Sequence, residues 1–176
     1  MKRAIALALL MAGALAAPAM ADTEYTLPGG YRSLVLSGNG TTFDARGVYV
    51  PVVWYGGPTR FFKLRFELGG AYLRDSLGGA YTYGVGQTSM NFELPLGPLI
   101  PYAGVVGHAA FPFQQPSYVT GIPYGAMGQA GLQLDLGVVL LDLHAGTGPV
   151  WGLSKPQGSA YEGNLTDIGG RVILAF

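Results

Sequence analysis

The sequence predicts an all-β protein, an eight-stranded, antiparallel, up-and-down transmembrane β-barrel. Three observations favour this fold: segments that alternate apolar and polar residues, an apolar composition without a long apolar run, and a secretion signal at the N-terminus. Charged residues make up only 11% of the chain, against about 25% in ordinary globular domains, and mean hydropathy is +0.32. After the leader, no segment approaches the ~18 consecutive apolar residues of a spanning helix, so alternating strands must carry the apolar surplus.

The N-terminus has the layout of a secretory signal peptide. Lys2 and Arg3 precede an apolar run over residues 4–17, and the small-residue site Ala19-Met20-Ala21 follows. The apolar run is shorter than the ~20 residues that a transmembrane helix needs. We therefore expect residues 1–21 to be a signal peptide cleaved after Ala21, and residues 22–176 to form one barrel domain.

Turn chemistry divides residues 22–176 into a short lead-in at 22–30 and eight strands. The predicted strands are residues 31–37, 43–55, 62–72, 80–94, 99–110, 124–136, 138–146 and 161–176. Pro51 predicts a bulge in the second strand, and a change of apolar register predicts another at residues 87–89 of the fourth. Leu136 and Gly137 predict a two-residue hairpin turn, which would set Asp135 opposite Val138 and Gly131 opposite Asp142.

The third strand shows the alternation most clearly. One face is apolar or small from Phe62 to Tyr72, and the other carries Lys63, Arg65 and Glu67. Periodicity alone fits two structures. A soluble sheet, such as a secreted lipocalin-like barrel, would turn the charged face to water, whereas a membrane barrel would turn it into the lumen.

The end of the chain favours the membrane barrel. Gly170, Val172, Leu174 and Phe176 alternate with more polar positions, and the chain stops on the aromatic ring. This segment resembles the closing strand of bacterial outer-membrane barrels, and the resemblance implies that the barrel-assembly machinery reads Phe176 and the alternate residues before it. The overall plan is similar to the small OmpA/OmpX-type barrels, and we expect no periplasmic domain after Phe176. The resemblance implies a bacterial outer-membrane location.

Loop lengths agree with that orientation. If the C-terminus is periplasmic, the turns at residues 55–59, 95–98 and 136–137 are periplasmic as well. The longer predicted loops, residues 111–123 and 147–159, then lie outside the cell. Short periplasmic turns and longer external loops are the usual asymmetry of these barrels.

The predicted inward face carries charges of both signs. We expect an interior polar network of Lys63, Arg65, Glu67, Glu93, Gln129, Gln133, Asp135, Asp142, His144, Asp167 and Arg171. His108 faces the same interior, and Arg46 is a further candidate for it. An eight-stranded barrel is just wide enough for its side chains to fill it. Near-balance of charge predicts a salt-bridge network that plugs the lumen, whereas a channel would favour a ring of one sign. A narrow polar conduit is the alternative.

Other chemistry finds little support. The chain has no cysteine, which excludes disulfides and thiolate sites. Small barrels include a lipid A deacylase and a palmitoyl transferase, but the deacylase pattern needs a serine soon after a histidine. His108 is followed by Ala109-Ala110-Phe111 and His144 by Ala145-Gly146-Thr147. We expect neither an enzyme nor a metal site nor a cofactor.

The sequence thus predicts a structural or interaction protein of the outer membrane that presents short external loops. A small channel for ions or compact solutes is the main alternative. The expected partners are outer-membrane lipids, including lipopolysaccharide-type lipids, the barrel-assembly machinery during biogenesis, and an envelope protein. The near-balance of acidic and basic residues gives no basic surplus for nucleic acid.

Overall fold

The computed structural model describes residues 24–38, 41–56 and 61–175, and these form a closed antiparallel β-barrel. Its strands are β1 Glu24–Gly38, β2 Thr41–Gly56, β3 Phe62–Asp75, β4 Ala80–Glu93, β5 Leu99–Gln114, β6 Thr120–Asp135, β7 Val139–Ser154 and β8 Glu162–Ala175. Each strand pairs with its neighbours in chain order, and β8 returns to β1. The predicted eight-stranded, up-and-down barrel is therefore confirmed.

Closure depends on a long β1–β8 ladder. It runs from Glu24 opposite Ala175 to Ser37 opposite Glu162, so neither terminal strand is left as an open edge. The prediction that residues 22–30 are a polar lead-in is wrong for 24–30, which belong to β1. Proline has no backbone N–H to donate to a ladder. Pro28 is tolerated because, among the described pairs, β1 pairs with β2 only from Gly30 onwards.

The β6–β7 hairpin has a longer turn than predicted. Asp135 pairs with Leu140 and Gly131 with His144, a shift of two residues from the expected register. The Leu136 N–H donates to the Val139 carbonyl at 2.9 Å, and Gly137 adopts a φ of 89°, which favours glycine. Because side chains alternate with a period of two, this shift leaves the predicted inward and outward faces of β7 unchanged.

Both predicted bulges are wrong. Pro51 pairs with Gly69 in an unbroken β2–β3 ladder, and β3 pairs with β4 without a break through residues 87–89. The register shifts instead lie between Thr82 and Tyr83 in the β4–β5 pair and between Gly121 and Tyr124 in the β6–β7 pair. One face of β4 therefore points inward along its whole length, including the apolar residues Tyr81, Tyr83 and Val85.

The two long predicted loops are shorter in the structure. β5 continues to Gln114 and β6 begins at Thr120, while β7 continues to Ser154 and β8 begins at Glu162. Strands of this length exceed the ~9–11 residues needed to cross a bilayer, so the barrel wall extends beyond an apolar belt. We call the end with connections 76–79, 115–119 and 155–161 the loop end, and the end with connections 94–98 and 136–138 the turn end.

The outer surface carries the apolar side chains that a soluble protein would bury. Exposed residues include Val50, Leu68, Met90, Phe92, Val105, Leu132 and Leu143. Tyr31, Tyr72, Tyr124 and Trp151 lie nearer the loop end of the same surface. In the part of the chain described here, no helix is long and apolar enough to cross a membrane.

Candidate functional site

The barrel interior is divided into two layers. Towards the loop end it is mostly apolar, with buried residues that include Leu34, Leu36, Phe43, Leu73, Tyr81, Tyr83, Val85, Val150, Leu153 and Leu165. Towards the turn end it is polar, with buried Arg32, Arg65, Glu67, Gln87, Asn91, Glu93, Gln129, Gln133, Asp142, His144, Asp167 and Arg171. We call these the apolar layer and the polar layer.

Arg65 is the centre of one half of the polar layer. It is 0% exposed, and its Nη2 lies 3.0 Å from Glu93 Oε1 while its Nη1 lies 3.4 Å from Asp142 Oδ2. Asp142 also accepts hydrogen bonds from the Tyr102 hydroxyl at 2.9 Å and from Gln133 Nε2 at 3.2 Å. The Tyr102 ring lies 5.0 Å from the Arg65 guanidinium. Each buried carboxylate is thus compensated by several donors, as charges removed from water require.

Glu67 and Asp167 anchor the other half. Arg171 Nη1 lies 2.8 Å from Glu67 Oε1, and Arg32 Nη2 lies 2.8 Å from Asp167 Oδ2. Gln87 joins the two pairs, because its Nε2 donates to Glu67 at 2.9 Å and its Oε1 accepts from Arg32 at 2.9 Å. The hydrogen bonds and ion pairs of this half therefore connect side chains of β8, β3, β4 and β1 across the lumen.

His144 links the two halves. Its Nδ1 lies 3.5 Å from Asp142 Oδ1, and its Nε2 lies 3.4 Å from Arg171 Nη2. A histidine–carboxylate pair also occurs in serine hydrolases, where the second ring nitrogen faces a nucleophilic hydroxyl. Here that nitrogen faces a guanidinium. Within the described residues, no group of three histidine, aspartate or glutamate side chains could hold a metal ion.

The structure places the predicted site residues unevenly. Most lie inside the barrel, and Lys63 lies at the turn end of the polar layer, with Nζ 3.4 Å from Glu93 Oε2. The prediction for Asp135 is wrong: it is exposed at the end of β6, and its carboxylate accepts the Gly137 N–H at 2.8 Å. An inward Arg46 is also wrong, since this side chain is exposed on the outer face of β2. Of the assembly-signal residues, Phe176 lies outside the described residues, and Gly170, Val172 and Leu174 of β8 pair with residues of β1.

Two members of the polar layer, Arg32 and Gln87, and the neighbouring Tyr49 were not predicted. Arg32, Tyr49 and Gln87 are buried, and the Arg32 guanidinium lies 3.9 Å from the Tyr49 ring centroid. Arg32 shares its strand face with Leu34 and Leu36, a face that looks apolar in the sequence. Its position directly opposite Asp167 in the β1–β8 ladder would have indicated an ion pair once that register was known.

A small cavity of about 30 Å³ lies where the two layers meet. Its walls are mainly apolar, and its polar residues are Arg32 and His108. His108 is buried, and neither of its ring nitrogens has a hydrogen-bond partner among the described residues. His108 thus faces inward, as predicted, but stands apart from the ion pairs.

The loop end is covered by an aromatic lid around Asp75. The Asp75 carboxylate accepts hydrogen bonds from the hydroxyls of Tyr81 and Tyr118 and from the N–H groups of Leu77 and Gly79. The Tyr118 and Tyr161 rings pack on Phe43, with centroid distances of 5.5 Å and 5.4 Å, and the Tyr161 hydroxyl donates to the Tyr118 carbonyl.

Burial alone would raise the pKa of Asp75, but these four hydrogen bonds outweigh burial and hold the pKa below its usual value of 3.8. Because the pKa of Asp75 is lower in the folded state than in the unfolded state, its carboxylate stabilises the lid at any pH above the unfolded-state pKa. This stabilisation is lost as the pH falls through the folded-state pKa. We call these four hydrogen bonds to the Asp75 carboxylate the clasp; because the carboxylate is ionised, the clasp is fully formed at neutral pH.

We expect Asp75→Asn to loosen the lid. At pH 6 the amides of Leu77 and Gly79, which lose a charged acceptor, should exchange hydrogen at least about fivefold faster than in the parent protein. In the parent, protection corrected for intrinsic exchange should fall only below pH 4, whereas the variant should show no such step. Asp44→Asn, on the outer face, is the matched control and should change neither amide. Equal protection in Asp75→Asn and Asp44→Asn would contradict the clasp.

Comparisons with known proteins agree with the geometry. No family model matches the chain, and no curated protein matches it in sequence. Among solved structures, the chain is similar to Neisserial surface protein A, with a TM-score of 0.60 and 12% identity over 89% of this chain and 99% of that one. It is also similar to the outer membrane protein OprG from Pseudomonas aeruginosa, with a TM-score of 0.54 and 10% identity over 89% and 98%. The chain has the fold of the small eight-stranded outer-membrane barrels.

Proposed function

We propose that this chain is an integral protein of the bacterial outer membrane with a structural or interaction role, whose lumen is closed by the polar layer. The fold, the apolar outer surface and the signal-peptide layout of residues 1–21 support the location. The proposal involves no catalytic step and no cofactor.

The observation that carries the closed lumen is the set of buried ion pairs across the polar layer, with His144 between its two halves. Arg65 bridges Glu93 and Asp142, His144 links Asp142 to Arg171, and Arg171 continues to Glu67. Charges of both signs neutralise one another within the lumen and leave no one-sided ring to attract a single type of ion. Opening a path would require breaking buried ion pairs, which is strongly unfavourable.

The loop end supports the same function. The lid over Asp75 and the apolar layer beneath it place a second barrier above the polar layer. An ion that entered from the loop end would have to leave water for an apolar environment, at a high free-energy cost. Both halves of the interior therefore oppose conduction.

We also propose that the outer surface near the loop end meets partners. Phe111 and Phe113 lie on consecutive outward positions of β5, and Phe113 is 76% exposed. An envelope protein that packs against the barrel would cover these rings. During biogenesis, the alternating end of β8 would be read by the barrel-assembly machinery, as the resemblance of residues 167–176 implies.

Planar-bilayer recording tests the closed lumen. Refolded protein that shows a heat-dependent gel shift should insert into the bilayer and give no steady single-channel steps, under conditions in which a known porin conducts. Arg65→Gln and Glu67→Gln test the polar layer, and Glu162→Gln, an exposed substitution at the start of β8, is the control. Steady steps in the parent protein whose amplitude changes in Arg65→Gln or Glu67→Gln, but not in Glu162→Gln, would replace this function with that of a small channel.

A further inference from the structure

Two arginines stand side by side on the outside of the barrel near the loop end. Arg46 on β2 and Arg74 on β3 are direct partners in the β2–β3 ladder, and both side chains are exposed. Residues directly opposite on an antiparallel pair have Cβ atoms about 5 Å apart. The two guanidinium groups can therefore reach one ligand.

The arginine pair lies just beyond the apolar belt. The next outward pair towards the turn end is Val48 with Tyr72, and Tyr31 on β1 lies beside Val48. One step of the pleat covers two residues, or roughly 7 Å along the strand. Exposed aromatic rings of this kind sit at the level of lipid headgroups, so the arginines lie at or just above that level.

Contacts within the sheet neutralise Arg46 but leave the charge of Arg74 without a carboxylate among the described residues. Like charges placed directly opposite on a sheet are destabilising. Asp44, held by a hydrogen bond from Ser33 at 2.8 Å, accepts the Arg46 Nε–H and pairs with its Nη2. The Arg74 Nε donates to the Tyr72 hydroxyl at 2.8 Å, and among the described residues no carboxylate forms a salt bridge with it.

These contacts orient the two guanidinium groups and leave donors available. Each guanidinium has five N–H groups. Asp44 and Tyr31 engage part of the Arg46 set, and Tyr72 engages part of the Arg74 set. The remaining N–H groups are suited to phosphate oxygens, because arginine binds phosphate through paired, charge-assisted hydrogen bonds. A phosphate beside the arginines would also offset the positive charge that Asp44 leaves on the pair.

We propose that Arg46 and Arg74 bind a phosphate on the saccharide headgroup of an outer-leaflet glycolipid. The acyl chains of this lipid lie along Val48, Val50 and Leu68, and its sugars lie against Tyr31 and Tyr72. The apolar belt directly beneath the arginines favours a lipid over free phosphate, which would gain nothing from that surface. The inference rests on the proposed outer-membrane location and is independent of the closed lumen.

Native mass spectrometry of the detergent-solubilised, refolded barrel tests the site. The probes are a hexa-acylated glucosamine disaccharide carrying two phosphates, the same lipid with both phosphates removed, and inorganic phosphate as a competitor. Variants Arg46→Gln and Arg74→Gln each remove one positive charge. Lys155→Gln removes one from the 155–161 loop, away from the site, and is the matched control.

The parent protein and Lys155→Gln should bind the phosphorylated lipid equally. Arg46→Gln and Arg74→Gln should each bind it about tenfold more weakly, because each loses charge-assisted hydrogen bonds to phosphate. Arg74→Lys should recover only part of the loss, since lysine cannot form the bidentate contact. Three outcomes would each overturn the proposal. The dephosphorylated lipid could bind as tightly as the phosphorylated one, Arg46→Gln and Arg74→Gln could bind the phosphorylated lipid as tightly as Lys155→Gln does, or millimolar inorganic phosphate could displace the lipid.

The result can be separated from a failure of the membrane location. Each variant is first checked for a heat-dependent gel shift and for flotation with phosphatidylcholine vesicles that lack the glycolipid. A parent protein that does not float would contradict the outer-membrane location itself. A parent protein that floats but does not discriminate between the two glycolipids would contradict only the arginine site.

Discussion

Arg65→Leu is expected to destabilise the folded barrel by about 3–5 kcal/mol, or to prevent refolding, because it removes the buried cation that Glu93 and Asp142 share. Leucine fills part of the space but donates no hydrogen bond. Lys63 still reaches Glu93, and Gln133 and Tyr102 still reach Asp142, yet no cation remains between the two carboxylates. The loss of stability should appear as a lower midpoint of urea unfolding in detergent micelles, with the heat-dependent gel shift as the measure of the folded fraction.

Two variants make the Arg65 prediction specific. Arg46→Leu removes an arginine from an exposed ion pair that solvent screens, so its urea midpoint should stay close to that of the parent protein. Arg65→Leu combined with Glu93→Gln and Asp142→Asn removes the stranded charges together with the arginine, so it should recover much of the stability. An Arg65→Leu midpoint equal to that of Arg46→Leu would show that the polar layer is not held by this ion pair.

The outer surface and the topology could be predicted from the sequence because lipid imposes one rule on every strand. Alternation in residues 62–72 places Arg65 and Glu67 inward, and the structure has that orientation. The same rule located His144 and Asp142 on the inward face of β7 even though the hairpin register was wrong by two residues. An error of one residue would have reversed both faces.

The interior could not be predicted in the same way, because the lumen is polar over only part of its length. The assumption that apolar residues face outward produced the false bulge at residues 87–89, since Tyr81, Tyr83 and Val85 line the apolar layer. The same assumption concealed Arg32, which follows Leu36 and Leu34 down one face of β1 into the polar layer. In a barrel filled by its own side chains, apolar packing is as favourable inside as outside.

The lid was beyond sequence reasoning for a different reason. It joins Asp75 at the end of β3 to Tyr118, which is 43 residues away in the connection between β5 and β6. Those residues come together only because the closed register brings β3, β4 and β5 to one end. Residues 111–114 and 147–154 look like loop in the sequence because they are rich in glycine, proline and aromatic residues, yet both continue the barrel wall.

Gly131→Val is expected to have the second-largest effect on stability. Gly131 lies inward on β6 directly opposite Tyr102, and a Cβ at this position would overlap the Tyr102 ring. The ring can rest on Gly131 because glycine has no side chain, and from there its hydroxyl reaches Asp142 beside Arg65. Overpacking costs about 1–3 kcal/mol, and a shift of the ring that relieves the clash would also weaken the hydrogen bond from the Tyr102 hydroxyl to Asp142.

The matched substitution Gly128→Val separates this clash from the effect of valine itself. Gly128 is on the outward face of the same strand, and a Cβ there would meet nothing within 4 Å. Valine favours strands at both positions, so propensity contributes equally to the two variants. Urea unfolding in micelles should therefore show Gly128→Val at or above the parent midpoint and Gly131→Val well below it. Two equal midpoints would mean that the Tyr102 ring is not wedged against Gly131, and that Asp142 is held without it.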